Sequence, residues 1–287
     1  MKKILCFSLL LLMTACSSAA MVPASTISPT ATNTPVPTPT IIPTATPVPN
    51  GPCDSPLLPL TTGNQWTYRV TTEGGESTYM LKSLGVEQSG NILAMVEFTD
   101  QKNNVTVTEP VVCFDGAVEN FPLFVLSMHF SNFLRDDFNT YHDTGIYAPD
   151  YQTLVKNNWS MNWDVEYLTE DYVNIRNPMG GSDLIVMQSS PIGMKFVTDG
   201  TREAVTVPAG TYPQALKVFH VFSFPTTLTL PTGGIGGVLT VNTIQWYETY
   251  VGLVRAEVSG ATLKFSGQTI NVPIISMIEL VEFKHAE

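Results

Sequence analysis

The chain predicts an all-β fold, or a β fold with one helix: a large antiparallel domain, shaped as a curved sheet or half-barrel or as a sandwich, standing behind a signal peptide and a disordered linker. Three observations predict it. Strict two-residue alternation recurs along the chain, as in Gln65-Trp66-Thr67-Tyr68-Arg69-Val70, where Trp66, Tyr68 and Val70 share one face. Turn-forming Gly, Asn and Asp clusters punctuate these runs at short intervals. Charged residues are sparse at 14% while apolar residues reach 44%, a balance that suits an exported β protein because strands favour Val, Ile, Thr and aromatics.

At the start of the chain, Lys2 and Lys3 precede an apolar run from Ile4 to Met13, and small residues Thr14 and Ala15 stand directly before Cys16. A run of about ten apolar residues is half the roughly twenty that a membrane span needs, so it reads as a cleavable signal core. The stretch Leu12-Met13-Thr14-Ala15-Cys16 resembles the lipobox of bacterial lipoproteins, with Met13 where Leu is usual. That resemblance implies residues 1–15 as the signal and Cys16 as a diacylated N-terminus; two acyl chains hold a protein on a membrane where one does not. An ordinary secretory signal cleaved near Ala19-Ala20 is the alternative.

Residues 16–52 form the predicted linker. Ser, Ala, Thr and Pro dominate it with hardly any charge, as in Thr34-Pro35-Val36-Pro37-Thr38-Pro39-Thr40. Proline fixes φ and removes backbone donors, so such a segment favours extended polyproline II conformations over a core. At ~3.1 Å per residue it reaches at most on the order of 110 Å, enough to lift a domain well clear of lipid headgroups.

The net charge is −11, and losing Lys2 and Lys3 with the signal makes it more negative by two. An acidic surface is repelled by phosphate, which argues against nucleic acid and against electrostatic docking on anionic lipid. Past the signal, no apolar run approaches the length of a membrane span.

The β-rich extracytoplasmic domain is expected over 53–287. Cys53 and Cys113 are its two cysteines, and an oxidising compartment lets such a pair close; a pair of buried free thiols is the other possibility. After the strand at Gln65–Val70, Gly74-Gly75 turns, Ser77 to Val86 returns, and Ser89-Gly90-Asn91 turns again. Ile92, Ala94, Val96 and Phe98 then share a face, Lys102-Asn103-Asn104 turns into Val105 to Phe114, and Asp115-Gly116 is a two-residue hairpin signal. These runs predict an antiparallel meander of about five strands.

Between Asn120 and Tyr151 the period changes. Leu123, Leu126, Phe130, Phe133, Leu134 and Phe138 recur at three- and four-residue intervals, the pattern of one amphipathic helix. The segment Leu154 to Trp159 loosely echoes Leu60 to Trp66, which raises the prospect of two β lobes split near 120–150. Turns at Pro178-Met179-Gly180-Gly181 and Thr198-Asp199-Gly200 resume the strand rhythm, and Leu216, Val218, His220, Phe222 and Phe224 form an alternating stripe. Thr226 to Leu230 and Val238 to Tyr247 flank Gly233-Gly234-Ile235-Gly236-Gly237, which predicts a hairpin tip over the glycines. The last strands are predicted over Leu253 to Val258, Ala261 to Phe265, Thr269 to Val272 and Ile274 to Phe283.

Three stretches carry a family resemblance. Leu58-Pro59-Leu60-Thr61-Thr62-Gly63-Asn64-Gln65-Trp66-Thr67-Tyr68 resembles the PL..GN.W.Y opening of a broad group of uncharacterised bacterial lipoproteins. Val207-Pro208-Ala209-Gly210-Thr211-Tyr212, followed by Ala215-Leu216-Lys217-Val218, is similar to their VPAGTF...LKV segment. Trp246-Tyr247 with Val251-Gly252-Leu253-Val254 resembles their WYA.GVGLVK segment, with Glu248-Thr249-Tyr250 in place of the usual small residues. The resemblance implies an antiparallel β domain and no assigned activity. Physically, Gly210 and Gly252 suit bends, Pro208 a strand edge, and Trp66 and Trp246 buried packing, with a ligand platform built of the same aromatics as the functional alternative.

No Gly-x-Ser-x-Gly elbow, His-Glu-x-x-His helix or phosphate loop occurs in the sequence. The densest polar group is Arg135-Asp136-Asp137 with His142 and Asp143, and His129 upstream; Asp136, Asp137, His142 and Asp143 are the weak candidates for a metal site or for proton transfer, since carboxylates beside imidazole serve both. The spacing matches no ligand motif, so no metal and no cofactor is expected. The expected function is that of a non-enzymatic, lipid-anchored envelope protein, at the membrane or the outer surface, whose β domain binds an apolar ligand, a glycan or a protein. The alternatives are an envelope hydrolase or metal-dependent enzyme, and a structural assembly module.

Overall fold

Why the alternating runs become one sheet follows from their burial. In the computed structural model, which describes residues 51–89, 91–121, 139–175, 184–230, 233–274 and 276–286, the strand Gln65–Thr72 buries Trp66, Tyr68 and Val70 and leaves their neighbours half-buried. Alternation of this kind puts one face on a core and one toward solvent. The signal, Cys16 and most of the linker lie outside the described residues, as do 122–138, which hold most of the predicted helix. The chain divides after Thr46, and the described residues belong to the unit Pro47–Glu287.

Sixteen strands are described. β1 (Asp54–Ser55) and β2 (Leu58–Pro59) pair with each other in a small ribbon. β3 (Gln65–Thr72), β4 (Gly75–Ser89), β5 (Asn91–Asp100), β6 (Val105–Phe114) and β7 (Ala117–Val118) form the five-stranded meander that the turns predict. β8 (Asn139–Gly145), β9 (Ser160–Ile175), β10 (Leu184–Asp199), β11 (Arg202–Val207), β12 (Gly210–Leu230), β13 (Gly233–Glu248), β14 (Gly252–Phe265), β15 (Gln268–Asn271) and β16 (Ser276–Lys284) complete the set. All but β1 and β2 belong to one antiparallel sheet, with the path β7-β6-β5-β4-β3-β16-β14-β13-β12-β10-β9-β8; β11 adds to β12 and β15 to β14.

The last strand joins the two halves of the sequence. β16 pairs with β3 on one side and with β14 on the other. The sheet curves without closing into a barrel. Its two end regions touch at one isolated bridge, where Val118 and Ala148 exchange backbone hydrogen bonds of 2.9 and 3.0 Å just beyond β8. Among the described residues, no ladder continues from that bridge.

The inward residues make one continuous core that includes Trp66, Leu81, Val96, Val111, Phe196, Leu216, Phe222, Val254 and Ile278. The stripe Leu216, Val218, His220, Phe222 and Phe224 is buried throughout. One helix is described, α1 (Tyr151–Lys156), with Asp150 as its cap and Leu154 buried against the core.

Two local expectations are corrected. Gly233 to Gly237 are not a hairpin tip: they lie in β13 and pair with Leu230 to Thr226 of β12. Gly237 has a physical reason to be glycine in that ladder, because a Cβ there would approach the Lys264 carbonyl to 2.8 Å. Likewise the predicted break at Ser259-Gly260 is a bulge within the single strand β14, since pairing shifts register between Asn242 and Thr243 and then continues.

Candidate functional site

Two polar regions stand out, one inside the sheet and one at its rim. Inside, Trp163 on β9 stacks on Phe196 of β10 with ring centroids 5.2 Å apart, and Phe196 stacks on His220 of β12 at 4.6 Å. His220 Nδ1 lies 3.0 Å from Thr243 Oγ1 and 3.2 Å from Gln245 Nε2, and the Tyr247 hydroxyl donates to Gln245 Oε1 over 2.7 Å. These contacts tie His220, Thr243, Gln245 and Tyr247 into one buried polar network across β12 and β13. Burial pushes the Tyr247 phenol well above its usual range, and does the same to Tyr68, Tyr147 and Tyr167.

The segments that carry the family resemblance interlock beside this network. Trp66 Nε1 donates to the Val251 carbonyl and the Tyr68 hydroxyl donates to the Leu253 carbonyl at 3.2 Å. Trp246 Nε1 donates to Glu203 Oε1 on β11. At Gly252 the backbone turns with φ +96°, and a Cβ there would lie 3.5 Å from Trp66 Nε1. These contacts clasp β3 to the β13–β14 turn, which is a structural task.

At the rim, that same turn meets the disulfide. Cys53 and Cys113 are bonded, with Cα atoms 5.2 Å apart, and the bond holds the chain at residues 51–54 against the end of β6. Asp115 and Gly116 reverse the chain with φ 48° and 84°, and the Gly116 N–H donates to the Pro52 carbonyl at 3.0 Å. Both central residues of a type I′ hairpin need positive φ, which is why Asp-Gly forms it. From the opposite side comes α1, tied down where the Ser55 hydroxyl donates to the Pro149 carbonyl at 2.7 Å.

These pieces border an open cleft of about 670 Å³. Asp54, Asp115 and Asp150 line it, together with Phe114, Tyr151 and Tyr250. Asp54 accepts from the Gly51 N–H at 2.7 Å and the Thr61 hydroxyl at 2.6 Å; Asp150 accepts from the Thr153 N–H at 2.8 Å and its hydroxyl at 2.6 Å. Each bond leaves lone pairs on the carboxylate. Among the described residues, no ion pair engages any of the three acids.

Tyr250 is the unusual member. It adopts φ +60°, a conformation a bulky side chain seldom takes, and its N–H donates to the Pro56 carbonyl at 2.8 Å. Its side chain is only 7% exposed, its ring stacks on Tyr151 at 6.5 Å, and its buried hydroxyl has no hydrogen-bond partner. Desolvation, helped by the nearby Tyr151 and Asp54 charges, raises its pKa. Outside the cleft lining, Arg202 lies 4.5 Å over the Trp159 ring, and burial raises the Glu248 carboxyl against the opposing pull of Arg202.

Of the residues singled out from sequence, Cys53 and Cys113 are brought together, whereas Cys16, His129, Asp136 and Asp137 lie outside the described residues. His142 and Asp143 sit on β8. The His142 ring meets Tyr167 edge-on, with Nε2 3.1 Å from the Gly145 carbonyl. Asp54, Asp150 and Tyr250 escaped the sequence reading, because nothing linear places 54, 115, 150 and 250 side by side. The usable signals were the Cys53–Cys113 pairing, which brings 54 to 115, and the departure at Glu248-Thr249-Tyr250 from small residues.

Among solved structures, the chain is similar to a candidate lipoprotein from Parabacteroides distasonis, at 18% identity and a TM-score of 0.52, covering 80% of this chain and 99% of that one. It also aligns with a candidate exported protein of YmcC-like fold from Bacteroides fragilis, at 18% identity and a TM-score of 0.46, over 80% of this chain and 100% of that one. No family model and no curated protein matches the chain. At this identity the first likeness speaks to the fold: a large antiparallel sheet also found in a bacterial chain of similar extent.

Proposed function

We propose that this is a lipid-anchored, non-enzymatic envelope protein, tethered through Cys16 and a linker over 16–52, whose β domain binds a partner outside the membrane through the rim cleft. The observation that carries the reading is the cleft itself: sequence-distant stretches, pinned by a disulfide and a capped helix, form a preformed concavity of about 670 Å³. Rigid concavities lined by a few fixed polar groups are where ligands bind. The lipobox-like sequence before Cys16 supports the anchor, and the lipoprotein description of the Parabacteroides distasonis structure agrees with it.

A cleft at the rim is a better place for a glycan or protein than for an apolar ligand. The inward faces that would line an apolar cavity already carry Trp66, Phe196, Phe222 and Met194 packed together and fully buried. Metabolic labelling with a fatty-acid analogue tests the anchor: wild-type protein takes up label and Cys16→Ser does not. Equal labelling of the two overturns the tether.

A further inference from the structure

We infer that the rim cleft recognises a positively charged group on a peptide, an ammonium or guanidinium carried by a Lys or Arg side chain. The inference rests on the cleft being the binding site and names the chemistry it accepts.

Charge is the first ground. Asp54, Asp115 and Asp150 bring three carboxylates to one concavity, and no cation of the described residues pairs with them. A carboxylate with spare lone pairs is the strongest acceptor for a charged N–H. The aromatic faces are the second. Phe114 is 68% exposed at the cleft, next to Asp115, and Tyr151 is also exposed over Tyr250. Rings beside carboxylates hold a guanidinium on its plane while the acids take its N–H groups.

The third ground is independent of charge. The Tyr250 hydroxyl is shut off from water in the cleft wall, close enough to Asp54 and Tyr151 to feel both, and makes no hydrogen bond. A buried hydroxyl without a partner costs free energy and is seldom left so. A ligand group lodged in the cleft against Tyr250 would supply its partner. A peptide-borne cation fits better than a bare metal ion: among the described residues, no three His, Cys, Asp or Glu side chains converge closely enough to hold one. Three spaced acids and two aromatic faces suit an extended, multidentate cation instead.

Calorimetric titration of the full-length protein in non-ionic detergent tests this with three probes: capped tri-arginine, its neutral isostere capped tri-citrulline, and the neutral glycan N,N′,N″-triacetylchitotriose. Tri-arginine is expected to bind about tenfold or more tightly than tri-citrulline, the usual effect of a charged hydrogen bond. Asp115→Asn, which suits the positive φ of its turn, and Tyr250→Phe, which alters no charge, are each expected to weaken tri-arginine about tenfold. Glu73→Gln, the loss of an exposed acid on the β3–β4 turn, is expected to leave it unchanged. Equal affinity for tri-citrulline, or equal weakening by Glu73→Gln and Asp115→Asn, overturns the cationic specificity. Chitotriose binding that depends on Tyr250 and Asp115 would overturn the cationic class and keep the cleft. If neither substitution changes the binding of any probe, both fall.

Discussion

The interior of the sheet and the cleft at its rim use similar side chains to opposite ends. Inside, Tyr247, Gln245, Thr243 and His220 satisfy one another across β12 and β13, between the stacked rings of Phe196 and Trp163. At the rim, Tyr250 is as buried as Tyr247 but its hydroxyl has no partner, and carboxylates gather without cations. Polar groups that are mutually satisfied hold one structure in place, whereas polar groups left wanting are a reserve of binding energy. Only Glu248 and Thr249 separate Tyr247 from Tyr250, so one strand end serves both regions.

The largest expected effect tests the interior. Tyr68, Tyr147, Tyr167 and Tyr247 all have phenols raised above the ordinary value of 10.0 by burial. A raised folded-state pKa contributes stability that is fully present below the unfolded pKa and is lost as pH rises through the folded values. Above pH 10 the unfolded chain sheds these protons and the folded one keeps them, so each tyrosine removes about 1.4 kcal/mol per pH unit. Urea unfolding at pH 9, 10 and 11 is expected to show a flat response and then a steep fall. A gentle decline like that of a single titrating group would mean that the four rings are not enclosed together.

Next in size is the disulfide, which belongs to the rim. It spans a sequence separation of 60, and closing such a loop restricts the unfolded chain by about 4 kcal/mol on the loop-entropy model. Replacing both cysteines by alanine is expected to lower the urea midpoint accordingly. The substitution also releases residues 51–54 from the β6–β7 hairpin, so the cleft is expected to lose its probe binding even where the sheet persists. Retained binding in that variant would locate the site elsewhere.

How much of this was legible beforehand divides along the same line. Period-two alternation wrote the interior into the sequence: Trp66, Tyr68 and Val70, and Leu216 through Phe224, are buried as their spacing predicts, because burial on one face of a strand is a local property. Asp115-Gly116 likewise announced its own turn. The glycines at 233–237 misled, since glycine reads as a turn signal while here the run lies in a paired strand and Gly237 lets that strand approach its neighbour closely. The cleft was beyond linear reading, because β16, from the far end of the chain, inserts between β3 and β14 and so brings the β13–β14 turn to Pro56. Only the disulfide expectation reached partway toward it.

The smallest effect sharpens the comparison most, because one chemical change is made in both places. Tyr247→Phe removes the donor to Gln245 Oε1 and leaves a buried amide oxygen unsatisfied, which is expected to cost about 1–3 kcal/mol. Tyr250→Phe removes a hydroxyl that has no partner to lose, so the desolvation cost of that group disappears and stability is expected to hold or rise by up to about 1 kcal/mol. Paired urea titrations measure both. Opposite signs mean that the interior hydroxyl serves the fold while the rim hydroxyl is held at the fold's expense. A loss at Tyr250 as large as that at Tyr247 would mean that its hydroxyl is satisfied within the protein, and would remove the reason to expect a ligand there.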